Sequence, residues 1–420
     1  MRVSLAIDSA DTFGGGCTTH FSALLLKSLA GRVELLDYPL LVRLNPSIPW
    51  KTRGNAAVVL RFSYEGSLPS LVEEVYELAK SYGGDPGVAA ISGEPWRPEL
   101  AGLYKKALTE VVPKDLATGV LESLGGEWMG GRGAVGAIAS LGALGPGEDH
   151  TYELLFYRRA ENLGRERCVD SRRLLEAEGS TAAGTIFNYD PVTLEETASP
   201  GGPDPVLAGF RGDSPQHLFP LSSAICEDYE FWILFRSNQH TDAHALPLTG
   251  ELKPYRAGTL ELELVEDPEV IPGGHVIVRG EGVEAAFYAE TGSLNEAARL
   301  LARGDKIRVL GTIRKRRRGV PVINAEKLWL IKVAEKGIEL NPRCPKCGER
   351  GESLGKDKGF RCSSCNYRWS GEKVKVRLRR SLTGEFTPTR PPNLVRPPWR
   401  RPQNLHEMGR IGMEQVMGLR

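Results

Sequence analysis

No segment of this 420-residue chain holds the eighteen or so unbroken apolar residues a membrane-spanning helix needs, and the small-residue stretch from Gly133 to Gly145 is short and glycine-rich. A membrane span is not expected. The opening Met-Arg-Val-Ser-Leu-Ala-Ile meets Asp8 and Asp11, carboxylates that would interrupt the apolar region of a secretion signal, so the expected location is the cytoplasm. Net charge is also scarce, +1 over the whole chain. That average conceals a polarised layout. Residues before Gly250 are net acidic and the rest net basic, with Arg314-Lys315-Arg316-Arg317-Arg318, then Lys373, Lys375, Arg377, Arg379 and Arg380, then a Pro/Arg-rich tail. Cations gathered in one half are the footprint of a polyanionic partner. The seven cysteines comprise four in a spaced set and three scattered, which suits a reducing compartment with a metal site rather than disulfides.

The length implies two to four domains. Arg2 to Ile7 reads as a short buried strand, followed by the glycine-rich turn Asp8-Ser-Ala-Asp-Thr-Phe-Gly-Gly-Gly-Cys-Thr-Thr and a helix over His20 to Leu29. Strand, glycine-rich turn and helix in that order form an anion pocket, because glycines admit the ligand to the backbone and the helix start offers free N–H groups. Gly130-Gly131-Arg132-Gly133 before the small residues Ala134 to Leu144 is a second such junction. Val58 to Phe62 predicts a strand and Leu68 to Tyr82 an amphipathic helix; further strands are expected at Leu154 to Arg159, Thr181 to Phe187, Val206 to Arg211 and Phe231 to Arg236. This is α/β or α+β architecture in two units, with a boundary near Pro146-Gly147. From about Ala257 the pattern changes to five short strands with a helix, Leu294 to Leu301, between the third and fourth: the order of an OB-fold barrel, with the basic run just after the fourth strand. The run is either a polyanion contact or a solvated turn.

Cys344-Pro-Lys-Cys347 and Cys362-Ser-Ser-Cys365, fourteen residues apart, have the spacing of a zinc ribbon. Four thiolates close the tetrahedron, so that zinc is structural. Asp8 and Asp11 suit a magnesium ion held against phosphate, or else a solvated turn. Thr18 and Thr19 are helix-capping candidates or hydroxyls for phosphate, and Cys17 has no evident base beside it. Lys51-Thr-Arg53-Gly-Asn55, after a proline-rich loop, is a phosphate clamp or a surface turn. Asn238-Gln-His240-Thr-Asp242-Ala-His244 binds a metal or, in the more usual reading of scattered polar histidines, substrate or solvent.

Together these segments resemble one family. Ile7-Asp8-Ser9-Ala10-Asp11 with Gly15, Cys17, Thr18 and Thr19 is similar to its opening motif, with Ser9 where the family has a second aspartate; Arg43-Leu-Asn-Pro-Ser-Ile-Pro-Trp-Lys51-Thr-Arg53-Gly-Asn55 is nearly its full second motif. Gly131-Arg132-Gly133 with Gly136, Gly209-Phe-Arg211-Gly212 and the Asn238 to His244 segment resemble later ones. The family is the archaeal tRNA(Ile) 2-agmatinylcytidine synthetases, which convert the wobble cytidine of the AUA-decoding isoleucine tRNA to agmatidine. The resemblance implies a kinase-like catalytic domain (1–146), a ferredoxin-like agmatine-binding domain (147–250), an OB-fold (251–335), a zinc ribbon (336–375) and a basic extension (376–420). It implies ATP, magnesium, agmatine and that tRNA(Ile) as ligands: ATP phosphorylates the C2 oxygen of cytidine, and agmatine displaces the phosphate. Asp8, Asp11, Thr18, Lys51, Arg53 and Asn55 would be catalytic, with Thr18 taking up phosphate. Gly14, Gly15, Cys17, Thr19, Gly131, Arg132 and Gly133 would hold ATP. For the agmatine and cytidine pocket, Asp204, Arg211, Gly212, Asn238, His240 and Asp242 are the candidates, and for tRNA Arg314 to Arg318, Arg379 and Arg380. The alternatives are a non-catalytic nucleic-acid binder built on the OB-fold and ribbon, or the same chemistry with another amine or tRNA.

The cysteine spacing predicts one tightly held zinc per chain. Elemental analysis of native protein should return it, and Cys362→Ser should lose it, disorder the ribbon and weaken tRNA binding while ATP affinity persists. Zinc-free native protein would contradict the assignment.

Overall fold

The structure, a computed structural model, describes residues 1–419 apart from 13, 52, 53, 95, 182, 183, 318, 379, 381 and 404–407. The first lobe runs through β1 (Arg2–Asp8), α1 (Thr18–Leu29), β2 (Leu40–Arg43), β3 (Ala56–Tyr64), α2 (Leu68–Tyr82), β4 (Gly87–Ser92), α3 (Pro98–Thr109), α4 (Lys114–Ser123), β5 (Glu127–Gly130) and α5 (Gly133–Ser140). Side chains alternate across a strand. Hence Leu5 and Ile7 of β1 pack with Leu25, Leu26, Leu71 and Val75 of α1 and α2, while Ala6 faces Leu100, Leu121, Ala137 and Ile138 of α3 to α5. Asp8, two residues after Ala6, is thereby turned toward α5. That helix approaches β4 backbone to backbone: a Cβ on Gly87 of β4 would lie 1.9 Å from the Ala134 nitrogen, and one on Gly133 2.6 Å from the Gly87 nitrogen. Helix α2 has the predicted bounds, because Leu68, Leu71, Val72, Val75 and Ala79 form one buried stripe, Ser67 caps it by accepting from the Ser70 N–H, and Gly83 ends it at φ 139°.

The second lobe, β6 (Thr151–Arg158), α6 (Ser171–Thr181), β7 (Val206–Gly212) and β8 (Tyr229–Ser237), does not form a separate sheet. Strand order in one ten-stranded sheet is β7-β6-β8-β2-β3-β1-β4-β5, two short strands lying off this path. At the junction β8 runs parallel to β2, pairing Arg236 with Leu40 and Ser237 with Leu41. Beneath this seam the buried Asp37 accepts from Arg61 of the first lobe at 3.2 Å and Arg236 of the second at 2.7 Å. Burial pushes the Arg61 guanidinium down to about 10, against the opposing pull of Asp37.

Two expectations are corrected here. Among the described residues, the segment expected as a strand from Thr181 to Phe187 holds the end of α6 at Thr181 and an isolated bridge between Thr185 and Gly212 of β7. The scattered cysteines are not all free either. Cys168 and Cys226 form a disulfide across 58 residues, brought together where Val169 bridges Ile225 and where Glu227 accepts from both Arg158 and the Cys168 N–H.

The third unit contains β9 (Ala257–Glu263), β10 (Glu269–Val270), β11 (Val276–Gly280), β12 (Val283–Phe287), α7 (Ser293–Arg299), β13 (Lys306–Arg317) and β14 (Val320–Lys332), in the order β9-β13-β14-β12-β11-β10 around its own core. The predicted helix stands where expected, but β13 continues to Arg317. The basic run is therefore the end of that strand, with Arg314 exposed and the side chains of 315–317 and residue 318 outside the described set. Beyond it β15 (Lys336–Leu340) precedes the ribbon strands β16 (Gly351–Ser353), β17 (Phe360–Cys362) and β18 (Arg368–Trp369), and pairs with β19 (Val374–Leu378) after them. The tail then turns back. β20 (Glu385–Phe386) pairs with β14, and β21 (Met417–Leu419) adds to the edge of β8.

Removing Asp37 leaves two guanidinium groups buried without their carboxylate. Asp37→Ala should cost about 3–5 kcal/mol of stability, read as a lowered urea midpoint. An unchanged midpoint would mean that the triad does not hold the lobes.

Candidate active site

A cavity of about 290 Å³ opens at the seam. The first lobe contributes Asp8, Asp11, Thr18, Lys51 and Asn55, and the second Glu153, Asp204 and Arg211. Asp8 ends β1, where Ser9 at φ 59° turns the chain and donates its N–H to Oδ1 at 2.6 Å. The carboxylate presses against α5 so closely that a Cβ on Gly136 would be 1.8 Å from Oδ2. Burial is the main cause that raises the Asp8 carboxyl to about 7; the neighbouring charge of Asp11 adds to it and the Ser9 N–H opposes it. Thr18 opens α1, its hydroxyl donating to Asp11 at 3.3 Å and accepting from the Ala10 N–H at 3.2 Å. Cys17 precedes it with Sγ 2.9 Å from the Thr19 hydroxyl, and burial pushes its thiol up, which disfavours the nucleophilic thiolate.

A second cavity, about 660 Å³, lies on the other side of Asp8. Ile48, Trp50, Val111, Val112 and Val135 make it largely apolar, and Lys114, Gly131 and Arg132 provide its polar end. Asp8, Ser9, Lys51 and Asn55 line both cavities and form the wall between them. Asn55 is fixed there at φ 50° by donating to the Asn45 carbonyl at 2.7 Å. Arg53 lies outside the described residues. Of the other glycines, Gly133 begins α5, Gly15 pairs with Thr12 in a small hairpin and Gly14 sits at its turn; none of the three lines either cavity.

In the second lobe the candidates divide. Asp204 and Arg211 line the seam cavity, whereas Gly212 packs its backbone against Gly184. Asn238 is consumed internally: Oδ1 accepts from the Arg43 N–H, and Nδ2 donates to the Arg43 carbonyl and the Tyr104 hydroxyl, each at 2.8 Å. Asp242 accepts from Lys327 and from the Arg396 N–H, both at 2.7 Å. His240 is buried with Nδ1 3.0 Å from the Val395 carbonyl, and burial, then the charge of Arg211, brings its ring down to about 3. A residue missed in the sequence is Glu153, whose carboxylate lies 3.5 Å from both Arg43 and Arg211. The signal was a lone acid inside a strand whose eight residues are all buried.

The four cysteines gather in the ribbon, their Sγ atoms within 4.8 Å of one another. Cys347 lies 3.3 Å from Cys362 and 3.5 Å from Cys365, near the spacing of about 3.8 Å that Zn–S bonds of about 2.3 Å impose in a tetrahedron. Gly348 and Asn366, each one residue past a knuckle, take φ 80° and 55° and return their N–H groups to Cys344 and Cys362. Of the residues expected to bind tRNA, Arg380 donates to Asp305 at 2.8 Å through Nη2 and to the Ala334 carbonyl. Arg379 lies outside the described residues.

The raised Asp8 carboxyl makes the folded state bind its proton more tightly than the unfolded chain does. Its penalty is absent near pH 3, grows as pH rises past the ordinary value of 3.8, and is complete above about 7. In magnesium-free buffer Asp8→Asn should match the parent at pH 3.5 and exceed it by roughly 4 kcal/mol at pH 8. Equal pH–stability profiles would show that Asp8 is not desolvated.

The TiaS TCKD domain, TiaS FLD domain and TiaS C-terminal zinc ribbon domain match residues 4–71, 131–244 and 341–382. The tRNA(Ile) 2-agmatinylcytidine synthetase TiaS of Acidilobus saccharovorans is 46% identical over 394 residues, 90% of each chain. A complex of TiaS with its tRNA(Ile) and ATP superposes with a TM-score of 0.83 at 30% identity, over 98% of this chain and 100% of that one. A complex of TiaS with the same tRNA, AMPCPP and agmatine does so with 0.79 at 27%, over the same shares. With 46% identity across 90% of its length, the chain belongs to the TiaS family of tRNA(Ile) 2-agmatinylcytidine synthetases.

Proposed function

We propose that this chain converts the wobble cytidine of the AUA-decoding tRNA(Ile) to agmatidine, using ATP and agmatine. The observation that carries the reading is the pair of cavities divided by Asp8, Ser9, Lys51 and Asn55. The apolar cavity suits a purine against Trp50, Ile48 and Val135, its phosphates directed past Gly131 and Arg132 toward the dividing wall. The seam cavity suits the cytidine and the amine. Cytidine's C2 carbonyl is a poor electrophile; its oxygen attacks the terminal phosphorus of ATP, releasing ADP, and the amine then forms the C2–N bond as phosphate leaves and a proton is lost. Lys51 supports the charge that develops on the transferred group. Asp204, paired with Arg167, and Glu153, between Arg43 and Arg211, are the carboxylates of the second lobe that agmatine's guanidinium can meet there. Thr18, whose hydroxyl donates to Asp11 at the helix start, is a second acceptor in a separate reaction: its oxygen attacks the terminal phosphorus of another ATP, losing its proton and releasing ADP.

Asp8, Asp11 and the Thr18 hydroxyl are hard oxygen donors, and the raised Asp8 carboxyl marks a site where positive charge is in demand; they fit magnesium. A magnesium ion would neutralise phosphate charge there. With Ser9 in place of a second aspartate, two carboxylates remain for it.

The finer architecture follows the same reading: 1–146 as a kinase-like domain, 147–250 as a ferredoxin-like domain sharing its sheet, 251–335 as an OB-fold and 336–375 as the ribbon. The order β9-β13-β14-β12-β11 with α7 before β13 supports the OB assignment. No helix among the described residues is long and apolar enough to cross a membrane. A tRNA substrate supports the cytoplasm as the place of action.

Asp11→Asn should lower ATP turnover at least a hundredfold while tRNA binding, measured by gel shift, stays within about threefold. Thr18→Ala should carry no labelled phosphate from ATP. Asp204→Asn should raise the KM for agmatine about tenfold or more and leave that for ATP in place. Normal turnover by Asp11→Asn would remove the metal assignment, and an unchanged agmatine KM would remove Asp204.

A further inference from the structure

Beside the seam cavity, and sharing Thr197 and Arg211 with it, lies a smaller cavity of about 170 Å³ lined by Phe187, Tyr189 and His240. It continues through Phe187 and Tyr189 into an open groove of about 480 Å³ whose far wall is Trp399. Three features distinguish this furrow from a surface crease.

One is an unsatisfied acceptor. His240 is 2% exposed, its backbone N–H donates to the Asn393 carbonyl at 2.7 Å, and its Nδ1 lies 3.0 Å from the Val395 carbonyl. A carbonyl can only accept, so Nδ1 carries the ring proton and Nε2 is left as a lone-pair acceptor. Nε2 is buried with no hydrogen-bond partner among the described residues. Such an atom calls for a ligand N–H.

Another is the aromatic wall. Trp399 is 55% exposed, yet its position is fixed by its neighbour: Arg400 is buried and donates to Asp149, Asp213 and the carbonyls of His150 and His240. Phe187 stands between, its ring centroid 5.8 Å from His240 and 6.1 Å from Trp399. A large, rigidly backed and exposed indole is a contact surface in waiting. The last is polarity: Arg211 and Arg390 of the tail line the small cavity, Arg390 paired there with Asp190 and Arg211 with Glu153, so one edge offers both donors and acceptors.

Planar, aromatic-stacking and N–H-bearing is the description of a nucleobase in a single strand. We propose that this furrow holds the unpaired nucleotide next to the target cytidine, stacked on Trp399 and Phe187 with an amino or imino N–H donated to His240 Nε2. The inference rests on the reading of the seam cavity as the cytidine site, since the shared Thr197 and Arg211 make the two occupants neighbours along one strand. The Pro/Arg-rich tail thereby becomes part of the substrate site, because Arg390, Asn393 and Trp399 build a wall that the two lobes lack by themselves.

The test uses the full chain and unmodified transcripts of the AUA-decoding tRNA(Ile), intact or with an abasic residue on one side or the other of the wobble position. Dissociation constants are measured for the parent and for Trp399→Ala, an exposed position whose change should leave the fold intact. One of the abasic transcripts should bind the parent about tenfold or more weakly, Trp399→Ala should show the same loss with intact tRNA, and the two losses should not add. Parent-like binding by Trp399→Ala, or losses that simply add, would overturn the base site. Agmatidine formation by the parent is followed separately: if it occurs while the coupling is missing, the base site alone falls. If the coupling is present without agmatidine, the furrow stands and the catalytic reading falls.

Discussion

A single buried carboxylate, Asp37, joins the two halves of the active site. It sits between β1's lobe and the Glu153 lobe, bound to Arg61 on one side and Arg236 on the other, directly under the parallel junction of β8 with β2. Each guanidinium buried there would be intolerable without it, so the lobes are compelled to share one sheet. Asn238 clamps both backbone groups of Arg43, Arg43 in turn reaches Glu153, and the cavity that holds Asp8 and Thr18 acquires an ion-paired wall from the second lobe.

The site residues readable in the sequence were those whose neighbours in space are also neighbours in the chain. Asp8, Asp11 and Thr18 fall within eleven residues of strand, turn and helix, and the strand's alternation already decides which face Asp8 takes. The ribbon was legible for the same reason, each cysteine pair being a local knuckle. Helix α2 was legible to the residue because a buried stripe, a serine cap and a terminal glycine all agree.

What escaped depended on partners far away. Asp242 and Asn238 have the right chemistry for a guanidinium, and residue type does not reveal that Lys327 and Arg43 have already claimed them. Arg380 looked like part of a cationic surface until Asp305, 75 residues distant, is seen beneath it. The disulfide spans 58 residues of unrelated sequence. Likewise the tail, read as a basic extension, spends much of its charge inside the molecule: Arg396 and Arg400 meet Asp149, Asp213 and Asp242 and bring Trp399 to the edge of the active site. Net charge along a sequence counts cations without telling which are neutralised on folding.

The central claim is that one cavity, walled by both lobes, receives a wobble cytidine and an amine while the adjoining cavity receives ATP. It is tested most directly by nucleoside mass spectrometry on the unmodified AUA-decoding tRNA(Ile) incubated with the protein, ATP and agmatine. The account predicts agmatidine at the wobble position, dependent on all three additions and absent when ATP is omitted. An unchanged cytidine in the presence of bound tRNA, ATP and agmatine would contradict it.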